Sequence, residues 1–231
     1  MRPANLFQVE LASALATPRK VGLRLGLSFL LGAPFFLVGM PVKVRVVGLI
    51  FLSLFHSFFG AAVGRVRDRT QGRALKLALL PLSGRLILLD RLLAGVLVDL
   101  LQTGPLIVLL VVLHGRPGLG PALPSLAGLF CGTLLLLNLL GQGLGRLAKT
   151  NAEVHLGGAL GVGMVAFFSG LVPVPETMAP ALGPIRELSP VHWLARTLEG
   201  LLQGSEPSGA LWPLLFLAAL AALYLWRALE R

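Results

Sequence analysis

Six long runs of apolar residues constrain this sequence more than any other feature. Each holds about 20 residues, the length at which a helix crosses the hydrocarbon core of a bilayer. A helix satisfies its backbone hydrogen bonds within its own segment, and the runs lack the alternation of a barrel strand. The sequence therefore predicts an all-α membrane protein, one transmembrane domain over residues 1–231. The predicted spans are 22–40, 46–64, 92–113, 125–145, 154–173 and 210–227.

The composition excludes several classes of soluble protein. Apolar residues make up 55% of the chain and charged residues 13%, whereas a soluble domain has about 25% charged residues. The net charge of +10 would suit nucleic acid if basic and aromatic residues shared a surface. Instead, the basic residues lie in short groups between apolar runs, so we expect no nucleic-acid partner. The single cysteine, Cys131, excludes an intrachain disulfide.

The distribution of basic residues predicts the orientation of the chain. With six spans both termini lie on one side, which then holds 15 of the 20 lysines and arginines, against 5 on the other. Connections rich in lysine and arginine stay in the cytoplasm. We therefore expect both termini to be cytoplasmic and the chain to lie in the plasma (inner) membrane.

Three segments outside the spans carry further information. Residues 4–16 place apolar side chains on one helical face, which predicts a short helix lying in the cytoplasmic interface. Residues 65–91 form a long basic connection with helical propensity. Residues 171–209 are too rich in proline for a straight span and too apolar for a free loop. This last segment predicts short re-entrant helices that dip into the outer leaflet.

Two stretches resemble a known family. The first is RVRDRTQGRALKLALLPLSGRLILLDRLLAG (65–95), and the second is SGLVPVPETMAPALGPIRELSPVHWLARTLEGLL (169–202). Together with the interfacial helix and the number of spans, they resemble the permease subunits of type-2 ATP-binding-cassette (ABC) exporters along essentially the whole chain. Thr70 stands where a second acidic residue is expected, and the first connection, Pro41 to Arg45, is short. These departures leave the subfamily open.

The resemblance implies partners and an energy source. Such a permease forms a dimer with a second copy or a paralogue, binds cytoplasmic ABC ATPase subunits that hold ATP and Mg²⁺, and exports a substrate. The chain itself has no P-loop, since Ala148 replaces a required glycine in GLGRLAKT (143–150). We therefore expect this chain to be no enzyme and to hold no cofactor.

The segment 65–91 is the only predicted inner connection large enough for a docking helix. We expect it to couple the permease to the ATPase through charged residues, a turn and an apolar strip. Its candidate coupling residues are Arg67, Asp68, Arg69, Gly72, Arg73, Leu75, Lys76, Leu79 and Pro81.

Two further groups of residues are candidates for the transport path. Polar residues within spans mark either a functional path or hinge or a packing hydrogen bond; the candidates here are Asp99, Gln102 and Asn138. An outer gate would comprise Pro173, Pro175, Glu176, Pro180 and Pro190. The four histidines lack the spacing of a metal site, and Ser169 has no assignable base, so we predict no metal and no catalytic residue.

Two alternative functions stay open at this point. One is the permease of the haem exporter in cytochrome c maturation, which shares the basic connection. The other is a membrane assembly protein without transport activity, in which the basic residues would only set orientation. A secondary transporter would show inverted repeats, which this sequence lacks. The sequence does not identify the substrate, nor does it distinguish a homodimer from a heterodimer.

Overall fold

The computed structural model describes residues 6–15, 18–36, 40–79, 82–114 and 123–204, and every regular element in these ranges is helical. The prediction of an all-α protein is confirmed for them. A 3₁₀ turn, Ala33–Phe36, follows α2, and a π-helical turn, Phe55–Phe59, joins α3 to α4. The helices are α1 (Leu6–Leu15), α2 (Pro18–Gly32), α3 (Val42–Leu54), α4 (Gly60–Thr70), α5 (Arg73–Ala78), α6 (Gly84–His114), α7 (Leu123–Leu147), α8 (Asn151–Phe168), α9 (Ala179–Glu187) and α10 (Pro190–Gln203).

Three helical stretches in the described residues are long and apolar enough to cross a membrane. They are Val42–Thr70, Leu86–His114 and Leu123–Leu147, which confirms the second, third and fourth predicted spans. The first and fifth predicted spans correspond to shorter helices, Val21–Phe36 and α8. The sixth, 210–227, lies outside the described residues. A total of six spans therefore stays a prediction.

The basic connection is shorter than the predicted 65–91. α4 continues to Thr70 and α6 already begins at Gly84, so only residues 71–83 link the two helices, and α5 lies within them. Arginine favours helix, and its long side chain reaches water from a helix end, so the helices extend beyond the apolar runs. Gly72 then makes the turn into α5 with a φ of +70°, a conformation that glycine adopts without strain.

α7 lies at the centre of the bundle. It packs against the helices on either side of it, α6 and α8, and also against α4 and α10. The common core joins leucines from three helices that lie far apart in the sequence. They are Leu49 and Leu54 of α3, Leu129, Leu134 and Leu137 of α7, and Leu194 and Leu198 of α10.

Two glycines bring α7 against the second span. A Cβ atom at Gly141 would lie 2.2 Å from the carbonyl oxygen of Phe58, and one at Gly145 would lie 2.7 Å from that of Ala62. Small residues four apart allow such close approach of helix backbones in membranes. A Cβ atom at Gly128 would meet nothing within 4 Å in the described structure. The pair Gly141 and Gly145 therefore mediates helix packing within the chain.

Hydrogen bonds fix the turn between α7 and α8. The Arg69 guanidinium of α4 donates to the carbonyls of Gly145 (3.2 Å), Arg146 (3.3 Å) and Ala148. A cation at this place complements the negative end of the α7 dipole. Thr150 is the N-cap of α8, and its hydroxyl accepts the Glu153 N–H at 3.2 Å. The Lys149 N–H that bonds the Glu153 carboxylate lowers its pKa.

Glycine and proline set the ends of the last described helices. Gly170 (φ +73°) ends α8, where the Leu171 N–H bonds the Ala166 carbonyl at 3.0 Å in a Schellman motif. Pro190 is the first residue of α10, a position where the missing N–H has no cost. α10 is embedded in the core described above, and a re-entrant course of 171–209 stays a prediction. α9 contains Pro184 within its nine residues, so a proline does not end this short helix.

We expect Gly141→Ala to destabilise the bundle, because the added methyl group meets backbone that cannot rotate away. Overpacking of this kind costs about 1–3 kcal/mol, more than the gain in helix propensity of about 1 kcal/mol. The measurement is the thermal unfolding midpoint in detergent. Gly128→Ala on the same helix is the matched control and should be neutral or stabilising. An equal response of the two variants would contradict this packing.

Candidate functional site

The two predicted cytoplasmic connections, 65–91 and 146–153, lie at one end of the bundle as far as the structure describes them, and we call this end the basic end. The contacts of Arg69 with the carbonyls that close α7 join them directly. At the opposite end the Arg45 guanidinium at the start of α3 bonds the His114 ring at the end of α6. The helices thus alternate in direction, as the predicted topology requires for these spans.

Four charged side chains form a network at the basic end, and three of them, Glu10, Asp68 and Arg91, are at most 11% exposed. Asp68 of α4 forms an ion pair with Arg91 of α6, and the two side chains are 8% and 7% exposed. Glu10 of α1 accepts from Arg73 at 2.7 Å and lies 3.5 Å from the Arg91 Nε. Arg73 also lies 3.6 Å from Asp68. The network ties α1, α4, the start of α5 and α6 together.

The structure divides the predicted coupling residues into two groups. Asp68, Arg69 and Arg73 are engaged with the protein itself, in the network or at the end of α7. Gly72 supplies the turn, and Pro81 lies outside the described residues. The remaining four are exposed. They are Arg67, Leu75, Lys76 and Leu79.

Sequence reasoning did not include Glu10 or Arg91 in the site. One signal was present for Glu10, because it is the only acidic residue before Asp68. An isolated carboxylate on a short interfacial helix next to a strongly basic segment indicates a partner in that segment. Arg91 gave no comparable signal, since it is one of seven basic residues between 65 and 91.

A cavity of about 740 Å³ extends from the network into the bundle. At its deep end Asp99 of α6 accepts a hydrogen bond from the Asn138 Nδ2 of α7 at 2.6 Å. Gln102 and Gln142 line the same cavity. The three predicted path residues Asp99, Gln102 and Asn138 are therefore brought together, at the interface of two central helices.

The π-helical turn, which packs on α7, also lines the cavity through Phe55, His56 and Phe59. The His56 Nδ1 donates to the Leu52 carbonyl at 2.8 Å, and its Nε2 lies 3.2 Å from the Ser28 hydroxyl of α2. A π turn places one extra residue in a helical turn and is frequent at functional sites. His56 thereby connects the first span to the irregular point of the second.

The predicted outer-gate residues lie before, within and after α9. Pro173, Pro175 and Glu176 are exposed on the irregular stretch before α9, and Pro180 is exposed in its first turn, whereas Pro190 is buried. Beside them the Ser169 and Ser189 hydroxyls lie 2.6 Å apart.

His192 contacts Ser169 only through the backbone. Its Nδ1 donates to the Ser169 carbonyl at 3.1 Å, so this histidine is not placed as a base for the Ser169 hydroxyl. The Trp193 indole N–H donates to the backbone carbonyl of Glu187 at 2.8 Å. The Arg196 guanidinium forms an ion pair with the Glu187 carboxylate at 3.5 Å. These contacts hold together the end of α8, the end of α9 and the start of α10, next to the predicted gate.

We expect Arg91→Met to destabilise the protein by about 3–5 kcal/mol, because it leaves the Asp68 carboxylate buried without its closest cation. The double variant Asp68→Asn, Arg91→Met removes both charges and should recover much of that loss. Thermal unfolding of the single and double variants in detergent measures the coupling. Strictly additive effects would show that the two side chains do not interact.

Comparison with known proteins agrees with this geometry. Residues 42–229 match the family described as ABC-2 family transporter protein. No curated protein and no solved structure gives a significant match. The matched range covers most of the chain and includes the three apolar spans, the basic end from Arg65 onward and the outer segment. The chain is therefore a membrane protein that belongs to the ABC-2 transporter family, as a permease of the ABC type.

Proposed function

We propose that this chain is the membrane subunit of an ATP-driven exporter that works with a separate cytoplasmic ABC ATPase. The observation that carries the proposal is the exposed apolar surface of α5. Leu75 is 69% exposed and Leu79, which directly follows the helix, is 78% exposed. They lie at the most basic end of a chain that has no nucleotide-binding motif.

α5 suits docking because it is both exposed and firmly held. Its first residue, Arg73, bonds Glu10 and lies close to Asp68, and Leu77 on its inner face is buried. The two exposed leucines, together with the exposed Lys76 of the same helix, can enter an apolar groove with acidic edges on a partner. Isolated exposed leucines are common on proteins, but these two form a pair four residues apart on one helical face.

The charge network offers a path for force from the partner into the spans. A displacement of α5 acts on Arg73, which shares Glu10 and Asp68 with Arg91 at the start of α6. α6 carries Asp99 on the wall of the cavity. Nucleotide-driven movement of the ATPase would thus reach the cavity through one rigid helix.

The remaining parts of the proposal concern assembly and direction. Two permease copies, or this chain and a paralogue, would each bind one ATPase subunit, which holds ATP and Mg²⁺. The basic end would face the cytoplasm of a plasma (inner) membrane, and substrate would leave past the outer segment 171–209. The family match supports transport over a purely structural role in membrane assembly.

The docking surface makes a direct prediction. Leu75→Asp combined with Leu79→Asp should leave membrane insertion intact and abolish both association with the ATPase and transport. A carboxylate buried without a partner in an apolar groove costs several kcal/mol. Copurification of a P-loop ATPase with the tagged chain, and ATP hydrolysis by the purified complex, are the measurements.

Leu147→Asp provides a matched control, since Leu147 is 80% exposed at the same end but lies on α7. It should retain the ATPase. If instead the basic residues serve only to set orientation and attract lipid head groups, worth about 1 kcal/mol each, the leucine variants will behave as wild type. In that case arginine-to-glutamate changes will invert the topology, and docking through α5 is refuted.

The orientation is testable by reporter fusions. We expect a reporter after Arg231 to be active only as a cytoplasmic reporter, and one inserted within 114–124 to be active only outside. The reason is the excess of basic residues at the basic end. A C-terminal fusion that is active outside the cell would overturn the proposed topology.

A further inference from the structure

Asp99 is a buried carboxylate without a cation in contact. It lies in the middle of α6, a membrane-spanning helix, and is 6% exposed. Among the described residues, no arginine, lysine or histidine forms an ion pair with it, although Arg24, Arg67 and His56 line the same cavity and Arg24 and His56 interact with it over a longer distance. Carboxylates inside a membrane are costly and are retained where they bind something. The hydrogen bond from the neutral Asn138 amide does not balance its charge.

The surroundings of Asp99 are built to present acceptors. Asn138 uses both amide hydrogens, one on the Asp99 Oδ2 at 2.6 Å and one on the Leu134 carbonyl at 3.0 Å. Its own oxygen lies against Gly95, where a Cβ atom would be only 2.5 Å away. Asn138 is thus a positioning residue that fixes the Asp99 carboxylate. A side chain at position 95 would clash with the Asn138 amide, so glycine is required there.

A second acceptor lines the same cavity. The Oε1 atom of Gln142, one turn beyond Asn138 on α7, is buried and has no hydrogen-bond partner among the described residues. Buried polar atoms usually have partners, so this oxygen is available to a molecule in the cavity. The volume of about 740 Å³ falls within the range of small-molecule pockets, about 300–1,000 Å³.

We infer that this cavity binds a hydrophobic organic cation, with its positive charge between the Asp99 carboxylate and the Gln142 amide oxygen. The apolar part of the ligand contacts Leu27, Phe55 and Phe59, which line the cavity on the side of α2 and the π turn. Such a molecule partitions into the membrane and supplies the ion-pair partner that Asp99 lacks among the described residues. The inference extends the proposed function, since the bound cation would be the transported substrate.

Equilibrium dialysis of the purified full chain with tetraphenylphosphonium tests the inference. We expect saturable binding that weakens about tenfold or more in Asp99→Asn, because the variant removes a charge from a site of low dielectric constant. Asp90→Asn is the matched control: it makes the same chemical change on the same helix, outside the cavity. Tetraphenylborate has the same shape with a negative charge, and its binding should not weaken in Asp99→Asn.

Three results would overturn the inference: no saturable binding of the cation, equal affinity in wild type and a folded Asp99→Asn, or an equal loss in Asp90→Asn. If Asp99→Asn fails to fold, the wild-type chain provides the test. Saturating tetraphenylphosphonium should then slow the modification of Asp99 by dicyclohexylcarbodiimide, as read by peptide mass spectrometry, whereas tetraphenylborate should not. Unchanged modification in the presence of the cation would equally refute the inference.

These measurements separate the inference from the proposed function, because none of them needs an ATPase. Cation binding without any associated ATPase would refute the exporter and leave the cation site standing. ATPase association and coupled hydrolysis without cation binding would refute the cation site alone.

Discussion

The close contact between α7 and the second span is the constraint on which the rest of the structure depends. Within a membrane, apolar side chains gain little by leaving lipid for protein, so helices associate where their backbones fit closely. Gly141 and Gly145 provide this fit against the carbonyls of Phe58 and Ala62. With these two helices joined, α6 and α10 pack on the remaining faces of α7, and the cavity forms beside α7.

Charge has a different role at each level of the bundle. At the basic end, two acids and two arginines compensate one another, which holds α1 and α5 against the spans and leaves the leucines of α5 exposed. In the middle of the bundle, Asp99 is held by an amide alone. The charge network at the basic end therefore maintains the shape of that end. The Asp99 carboxylate, by contrast, is available to a molecule that enters the cavity.

Much of the architecture was predictable from the sequence, because bilayer thickness and backbone hydrogen bonding leave few choices to an apolar run of about 20 residues. The second, third and fourth spans are examples. The family was indicated separately, by the stretches 65–95 and 169–202. The length of α4 was not predictable from hydropathy, because a helix of arginines continues beyond the apolar run. The partners of Asp68 were hidden for another reason: Glu10 and Arg91 lie 58 residues before and 23 residues after it, and only tertiary packing brings them together.

The π turn at Phe55–Phe59 determines how the two halves of the second span face their neighbours. An α-helix rotates by about 100° per residue, so the extra residue in this turn sets the angular offset between α3, which packs on α10, and α4, which packs on α7. Deleting one residue there would restore a regular α-helix and turn α4 by that angle. Asp68 would then leave Arg91, and Ala62 would leave Gly145. One additional residue in a helical turn is thus sufficient to give a single span two differently oriented faces.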